Sequence, residues 1–397
     1  MNRKRKAWVV MMTAYLAGIA IAVNQFKVPP VMQILISDLH IDMATGGWLM
    51  SVFSVASVIL AIPAAFLLTR LGIKVTGLMA LGCTIVGAVI GALATNVTTL
   101  LVGRVIEGIS VGLISVVAPT VISMWFEPQE RGLPMGIWAA WVPVGNVIAF
   151  NVAHPLLTSF GWRAVWWFGI LFALVALILY GLVVVVPPRP ADQKDDPSPG
   201  LTGSFGRMLL NPSSWLLALA FGTFSFSMIG YNTWVPSFLT ETLQLDTASA
   251  SFYASLLFMA GIPANVVAGW MVDRVENRPG LLTVAFLITT IIFAWSFRFG
   301  STSVAVLYMI LLGFASNFIP TSVFTLAPET IDAPQFAGLG LAIVAVVSGL
   351  GSLVGPPFLG AVISGGNWTS GSTCVVIVMS IGLIASRLAW PRKRITR

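Results

Sequence analysis

Charged residues are scarce in this chain of 397 residues, since Asp, Glu, Lys and Arg together make up only 9% of it. A soluble domain keeps about a quarter of its residues charged in order to cover its surface. Hydrophobic residues make up 57% of the chain, and the mean hydropathy is +0.93. These values exclude a single soluble core and indicate that lipid faces most of the surface.

Residues that carry out covalent chemistry or hold metals are also few. The two cysteines, Cys83 and Cys374, lie in apolar stretches, and the two histidines, His40 and His154, lie near predicted loops. Their spacing fits no metal site, redox motif or catalytic triad, and no nucleotide-binding motif is visible. We therefore expect no enzymatic activity, no metal and no cofactor, so that transport would use an ion gradient or be passive.

The formal net charge of +7 raises the question of nucleic-acid binding. The basic residues flank apolar segments and form no patch interleaved with aromatic residues, so we expect no nucleic-acid partner. Their distribution is typical of topology signals in a membrane protein.

Twelve apolar runs predict twelve transmembrane helices, because each span needs about 20 apolar residues. The first six runs cover residues 7–37, 44–69, 75–95, 98–125, 134–157 and 164–187. The other six cover residues 213–240, 248–272, 280–299, 303–328, 335–364 and 368–390. The first and eleventh runs are long and contain adjacent prolines, so we expect tilt or a kink in each.

The basic residues also predict the orientation of these helices. If the loops alternate between two sides, 17 of the 21 Lys and Arg residues fall on the side of the N-terminus. This bias predicts a multi-pass protein of the bacterial inner membrane with both termini in the cytoplasm. The basic start resembles a signal peptide, but the apolar run after it is too long for one and predicts an uncleaved first helix. The 17 residues are Arg3, Lys4, Arg5, Lys6, Arg70, Lys74, Arg131, Arg189, Lys194, Arg207, Arg274, Arg278, Arg387, Arg392, Lys393, Arg394 and Arg397.

A polar segment between Pro187 and Asn211 divides the chain into halves of similar size. We predict an N-terminal six-helix bundle at residues 1–187, a cytoplasmic linker at 188–212 and a C-terminal six-helix bundle at 213–397. Many secondary transporters consist of two repeated halves and bind their substrate near the midplane of the bilayer, between the halves. We expect a monomer embedded in the lipid bilayer.

Two loops at equivalent places in the halves share one pattern. The loop after the eighth run reads Gly269-Trp-Met-Val-Asp273-Arg274 and resembles the Gly-x-x-x-Asp-Arg-x-Gly-Arg-Arg loop of the major facilitator superfamily. The loop after the second run is a weaker copy, with Ala65 and Thr69 in place of the Gly and Asp. The resemblance implies conformational-switch loops formed by Arg70, Gly72, Lys74, Gly269, Asp273 and Arg274.

The fourth run contains Arg104-Val-Ile-Glu107-Gly108, which is similar to the Arg-x-x-Gln-Gly motif of the same superfamily with Glu in place of Gln. The resemblance extends over nearly the whole chain. It implies an all-α membrane protein with twelve transmembrane helices in two pseudo-symmetric six-helix bundles, which transports its substrate by alternating access.

Two further segments indicate which branch of the superfamily the chain resembles. The segment Phe26-Lys27-Val-Pro-Pro30, followed by Gly47-Trp-Leu-Met, resembles the cyanate-permease-like and organic-anion symporter branches, which place a cation at a comparable point of the first helix. The drug-exporter branch carries a Gly-x-x-x-Gly-Pro-x-x-Gly-Gly run in its fifth helix. The fifth run here, from Gly136 to Asn146, does not fit that pattern, which weighs against export.

Three charges fall within the predicted spans, where ionisable residues usually face a cavity or a partner. Arg104 and Glu107 stand at positions i and i+3 on one helical face, either as a substrate-binding cation and a proton carrier or as a structural ion pair. Lys27 either binds an anion or extends to the outer headgroups. The polar neighbours Asn24, Gln25 and Gln33 favour a cavity wall, and Asn24 and Gln25 are counted as substrate-binding candidates.

The remaining candidates are uncharged. Trp141 and Asn146 of the fifth run could line the path, although tryptophan more often packs against other helices or lipid. In the C-terminal half, we assign substrate contact to Tyr231, Asn232 and Asn317, with hydrogen bonding to a neighbouring helix as the alternative.

The net charge of the three groups in the spans is +1, which favours an anion over a cation. We therefore expect proton-coupled uptake of a small organic or inorganic anion, so the partners are a small anionic substrate and protons. Proton-driven export of amphipathic compounds and exchange of two anions remain open as alternatives.

Overall fold

The computed structural model describes residues 3–127, 130–185, 211–330 and 337–390, and throughout these ranges the regular elements are helical. Within these ranges, eleven helical segments are long and apolar enough to cross a membrane, and the shorter apolar helix Arg278–Phe293 supplies a twelfth. The helices are α1 Arg3–Phe26, α2 Met32–Asp38, α3 Met43–Ala92, α4 Val97–Trp125, α5 Gly132–Ala139, α6 Trp141–Phe160, α7 Arg163–Val183, α8 Pro212–Leu243, α9 Thr247–Arg274, α10 Arg278–Phe293, α11 Thr302–Ser316, α12 Phe318–Leu326, α13 Ala337–Ile363 and α14 Trp368–Leu388.

Each predicted span corresponds to one of these helices, to a pair of them, or to part of one. The second and third spans form the single element α3, and they are separated by Gly72, whose φ of 75° and ψ of 170° are not helical. Glycine adopts a positive φ without steric cost, so the chain can reverse its direction there. The twelve-span, all-α prediction is confirmed.

The first span is broken in the middle. Helix α1 ends at Phe26, Pro29–Val31 form a single turn of 3-10 helix, and α2 begins at Met32. Proline has no backbone N–H, and its ring restricts the residue before it, so two adjacent prolines interrupt a helix. The predicted kink therefore lies at residues 27–31.

One prediction about the C-terminal half is wrong in detail. The ninth span was expected to reach residue 299, but α10 ends at Phe293 and a turn with Phe297 at φ 54° follows it. Arg298 thus lies beyond the helix, where its guanidinium donates to Thr373 Oγ1 at 3.1 Å. Helix α13 continues through Pro356 and Pro357, so the tilt or kink expected in the eleventh span stays a prediction.

Side-chain caps fix where several helices begin. Asn96 Oδ1 accepts from the backbone N–H of Thr99 at the start of α4, and Asp42 Oδ1 accepts from that of Thr45 at the start of α3. Such caps satisfy N–H groups that have no partner inside the helix. The hydrogen bonds from Thr45 also hold the pKa of Asp42 below its usual value.

Helices α1–α7 form the N-terminal half and α8–α14 the C-terminal half of the protein, and the two pack tightly where α3 meets α13. A Cβ atom added to Gly47 would lie 2.5 Å from Pro357 Cα and 2.6 Å from the Pro356 carbonyl oxygen. One added to Gly360 would lie 2.6 Å from the Met43 carbonyl oxygen. These contacts lie at the end of the protein opposite the N-terminus, which we call the distal end.

The predicted linker, residues 188–212, lies almost wholly outside the described residues, because the structure describes nothing between residues 185 and 211. The domain boundaries therefore stay a prediction.

The backbone contact at Gly47 leads to a prediction about stability. Gly47→Ala should lower the midpoint of thermal unfolding, because overpacking a close contact costs about 1–3 kcal/mol. Gly82→Ala, in the same helix α3, is the matched control, since a Cβ there meets no atom within 4 Å. Fluorescence-monitored unfolding of both purified variants tests this, and equal midpoints would contradict the close contact.

Candidate functional site

Three charged side chains meet inside the N-terminal half. Lys27 Nζ lies 2.6 Å from Glu107 Oε1, and Arg104 Nη1 lies 2.5 Å from Glu107 Oε2. All three side chains have an exposed fraction of 0%. We call Lys27, Arg104 and Glu107 the charge triad.

Arg104 also completes the hydrogen bonding at the break of the first span. Its guanidinium donates to the backbone carbonyls of Asn24 at 2.7 Å and Gln25 at 2.8 Å, and to that of Leu49 in α3 at 2.8 Å. In an uninterrupted helix, the Gln25 carbonyl would accept from residue 29, but Pro29 has no N–H. Arg104 therefore supplies a missing donor and joins α1, α3 and α4.

Lys27 lies beside groups that hold its ammonium inside the protein. Its Nζ donates to Asn24 Oδ1 at 2.9 Å and lies 4.9 Å from the centre of the Trp166 ring. The Asn24 amide in turn donates to the carbonyls of Ala20 at 2.9 Å and Gly169 at 3.1 Å. Lys27 thus points into the helix bundle, and not outward to lipid headgroups.

The charge triad carries a net charge of +1 when all three groups are ionised. A buried charge is costly unless it is paired, and here one carboxylate serves two cations. The rings of Trp166 and Phe53 contribute cation–π contacts, with Arg104 Cζ 4.5 Å from the Phe53 ring centre. The excess positive charge remains uncompensated by any acid that the described residues place in contact with it.

The other predicted residues of the N-terminal half have different surroundings. Gln25 takes part through its backbone carbonyl, as described above. Trp141 stacks on Trp138 with ring centres 5.2 Å apart, across the break between α5 and α6. The Asn146 side chain is fully buried, and neither its Nδ2 nor its Oδ1 has a hydrogen-bond partner among the described residues.

In the C-terminal half, the predicted residues do not join the charge triad. Tyr231 is fully buried in an aromatic cluster, 4.9 Å from Phe297 between ring centres, and its hydroxyl contacts Met309 Sδ at 3.6 Å. The buried Asn232 amide has no hydrogen-bond partner within the described ranges, and Asn317 donates to the Gly313 carbonyl of its own chain segment at 2.6 Å. Substrate contact by these three residues therefore stays a prediction.

The two motif loops lie at the Gly72 break within α3 and at the end of α9. The guanidinium of Arg70 lies over the Phe66 ring at 4.6 Å, and that of Arg274 over the Trp270 ring at 4.3 Å. Lys74 follows the reversal at Gly72. Gly269 and Asp273 lie in the last turns of α9.

Sequence reasoning missed the aromatic walls of the charge triad. Phe53 and Trp166 are two of the 24 phenylalanines and 14 tryptophans in the chain, and no local pattern separates them from rings that face lipid. It also missed Glu241, at the distal end of α8, which accepts hydrogen bonds from Gln33 and Trp368.

The charge balance of the triad predicts an order of stability among three single variants. Lys27→Met should be tolerated, because Arg104 and Glu107 remain a neutral pair. Glu107→Gln should cost about 3–5 kcal/mol, since it leaves two unpaired buried cations. Arg104→Met should also destabilise, because three backbone carbonyls lose their donor. Thermal unfolding in detergent at neutral pH measures this order, and a Lys27→Met variant less stable than Glu107→Gln would contradict it.

Comparison with known proteins places the chain in a family. The sequence profile described as Major Facilitator Superfamily matches residues 14–356. The chain is 22% identical over 282 residues to the hexuronate transporter of Bacillus subtilis, covering 70% of this chain and 67% of that protein. It is 24% identical over 324 residues to a putative glycerol-3-phosphate transporter of Arabidopsis thaliana, covering 70% of this chain but only 61% of the relative.

A solved structure agrees with the fold. The crystal structure of a bacterial homologue of the human lysosomal transporter Spinster, in an inward-facing and unoccupied conformation, matches with a TM-score of 0.81. The match covers 98% of this chain and 99% of that one at 19% identity. The profile match, the transporters among its relatives and the twelve apolar helices show a membrane transport protein, and not an enzyme. The chain belongs to the Major Facilitator Superfamily.

Proposed function

We propose that this transporter takes up a small organic or inorganic anion together with protons by alternating access. The observation that carries the proposal is the net charge of +1 in a buried triad whose only acid is shared by two cations. The basic-residue bias of the loops supports an inner-membrane orientation with both termini in the cytoplasm. In that orientation the distal end faces the outside of the cell.

Proton coupling follows from the charges of the triad. While Glu107 is ionised, it holds both cations, and an incoming anion has to compete with a carboxylate 2.6 Å from Lys27 Nζ. Protonation of Glu107 raises the net charge from +1 to +2 and releases the ammonium. A unit charge pair 4 Å apart interacts by roughly 4 kcal/mol at an effective dielectric constant near 20. The proton and the anion therefore favour the binding of each other.

The three residues have separate roles in this scheme. Lys27 binds the anion, since its ammonium is bound by two side-chain oxygens that can be exchanged for those of a ligand. Glu107 carries the proton. Arg104, predicted from the sequence as a substrate-binding cation, acts here as a positioning residue, because it donates to three backbone carbonyls at the break of the first span and also holds Glu107.

Access to the charge triad requires movement of helices. The three side chains are fully buried, so binding and release need a state in which the helices around Lys27 separate. The predicted substrate contacts of such a state remain Asn24, Gln25, Trp141, Asn146, Tyr231, Asn232 and Asn317. The loops with Arg70, Gly72, Lys74, Gly269, Asp273 and Arg274 stay predicted switch elements.

The names of the relatives support an anionic substrate. Hexuronate and glycerol 3-phosphate, named for two of them, are both small anions at neutral pH. Because identities are 22% and 24% and coverage of the second relative is partial, the names guide the choice of ligands to be tested.

A thermal-shift screen tests the substrate charge. Ligands that bind the folded state raise its apparent stability. We expect hexuronates, glycerol 3-phosphate, other small carboxylates, cyanate or nitrate to stabilise the parent protein, and Lys27→Met to lose at least about tenfold in affinity for the active compound. Arg298→Met removes an equal charge from an exposed turn and should bind like the parent. Stabilisation by neutral or cationic aromatics that survives in Lys27→Met would instead favour export of amphipathic compounds.

Uptake into proteoliposomes tests proton coupling. An inward proton gradient should accelerate anion uptake by the parent, because protonation of Glu107 frees Lys27. Glu107→Gln should keep exchange of internal for external anion but lose its response to the gradient. Size-exclusion profiles of the reconstituted variant control for its lower stability. If the parent exchanges anions and ignores the gradient, the protein is an anion exchanger and the coupling proposal is wrong.

A further inference from the structure

A carboxylate at the distal end connects the two halves of the protein. Glu241, in the last turn of α8, accepts a hydrogen bond at Oε1 from the Gln33 side chain of α2. Its Oε2 accepts from Trp368 Nε1 of α14 at 3.2 Å. Gln33 belongs to the N-terminal half, while Glu241 and Trp368 belong to the C-terminal half, so a single carboxylate links the two.

Trp368 anchors the carboxylate in its own half. The tryptophan is 7% exposed, and its ring packs 5.4 Å from that of Phe238 and 5.3 Å from that of Phe297, between ring centres. Its N–H therefore has a fixed direction. With one oxygen held in this way, the other is presented to Gln33.

The surroundings of Glu241 are those of a closed end. On the same side, Gly47 packs against Pro356 and Pro357, and Ser51 Oγ donates to the Ser352 carbonyl across the halves at 3.4 Å. The Ser51 side chain is fully buried. Any state open at the distal end has to separate α2 from α8, which breaks the Gln33–Glu241 hydrogen bond.

We propose that Glu241 is the distal latch of this transporter, holding the closed end through Gln33 and positioned by Trp368. The latch lies outside the charge triad and does not depend on the substrate or the coupling ion. Hydrogen bonds to ionised groups are about twice as strong as neutral ones. A single bond of this kind can hold the closed end and still break once in each cycle. Its loss shifts the equilibrium toward states open at the distal end.

The test uses a buried cysteine as a reporter of opening. Cys83 and Cys374 are replaced by alanine, and Ser51→Cys is introduced, since cysteine nearly matches serine in size and this position is sealed while the halves are closed. The labelling rate with a hydrophilic maleimide is then measured on purified protein in nanodiscs without substrate. The result is therefore independent of the proposed anion and proton sites.

We expect Glu241→Ala and Gln33→Ala each to raise the labelling rate about three- to tenfold, a range that allows for solvent screening of this exposed contact. The double variant should label no faster than either single one, because both remove the same bond. Trp368→Phe keeps the aromatic packing but removes the N–H, so its increase should be smaller. Glu241→Gln keeps the size and loses the charge, and it provides the same comparison if the alanine variant fails to fold.

Asp38→Ala is the matched control. Asp38 lies at the same end and also accepts from a tryptophan, with Oδ2 2.8 Å from Trp162 Nε1, but both residues belong to the N-terminal half. This variant should label at the parental rate. An unchanged rate in Glu241→Ala, an equal increase in Asp38→Ala, or effects of Gln33→Ala and Glu241→Ala that multiply in the double variant would overturn the latch.

Discussion

The hydrogen bonds between Arg104 and the broken first span organise the N-terminal half. Two adjacent prolines deprive the last turn of α1 of backbone donors, and a buried carbonyl without a donor is costly in a membrane. Arg104 supplies the donor that the Gln25 carbonyl lacks, bonds to the Asn24 carbonyl as well, and reaches α3 at the same time. An arginine in this place needs a counter-charge, which Glu107 provides one turn along the same helix. The break in turn sets the position of Lys27.

The bonds among Arg104, Glu107 and the broken first span explain how a transporter can keep three ionised groups within a hydrophobic bundle. Glu107 accepts from both cations, Arg104 also donates to backbone carbonyls, and Lys27 donates to the Asn24 side chain. One aromatic ring lies against each cation. In the closed state the side chains of the charge triad have hydrogen-bond partners, while their surplus positive charge has no counter-charge among the described residues. A ligand of opposite sign is the simplest way to complete it.

The architecture could be predicted from the sequence because length and charge bias act over whole helices. Apolar runs have the length of a bilayer, and their ends carry charges, prolines or glycines, so most of the spans were located to within a few residues of the helix ends or of the break at Gly72. Helix α10 ends earlier than the ninth run predicts, because the chain turns at Phe297 and no glycine or proline stands at that residue to mark the turn. The pairing of Arg104 with Glu107 followed from their spacing. The third partner could not be found in this way, since Lys27 is 80 residues from Glu107 and only the fold brings them together.

The division between the fixed arginine and the exchangeable lysine has an evolutionary consequence. Arg104 and Glu107 form a complete neutral pair by themselves, so residue 27 can vary without loss of the broken helix that carries it. Under the proposed function, replacing this one side chain would change the preferred charge of the cargo, while the arginine–glutamate pair and the helices that it joins stay intact.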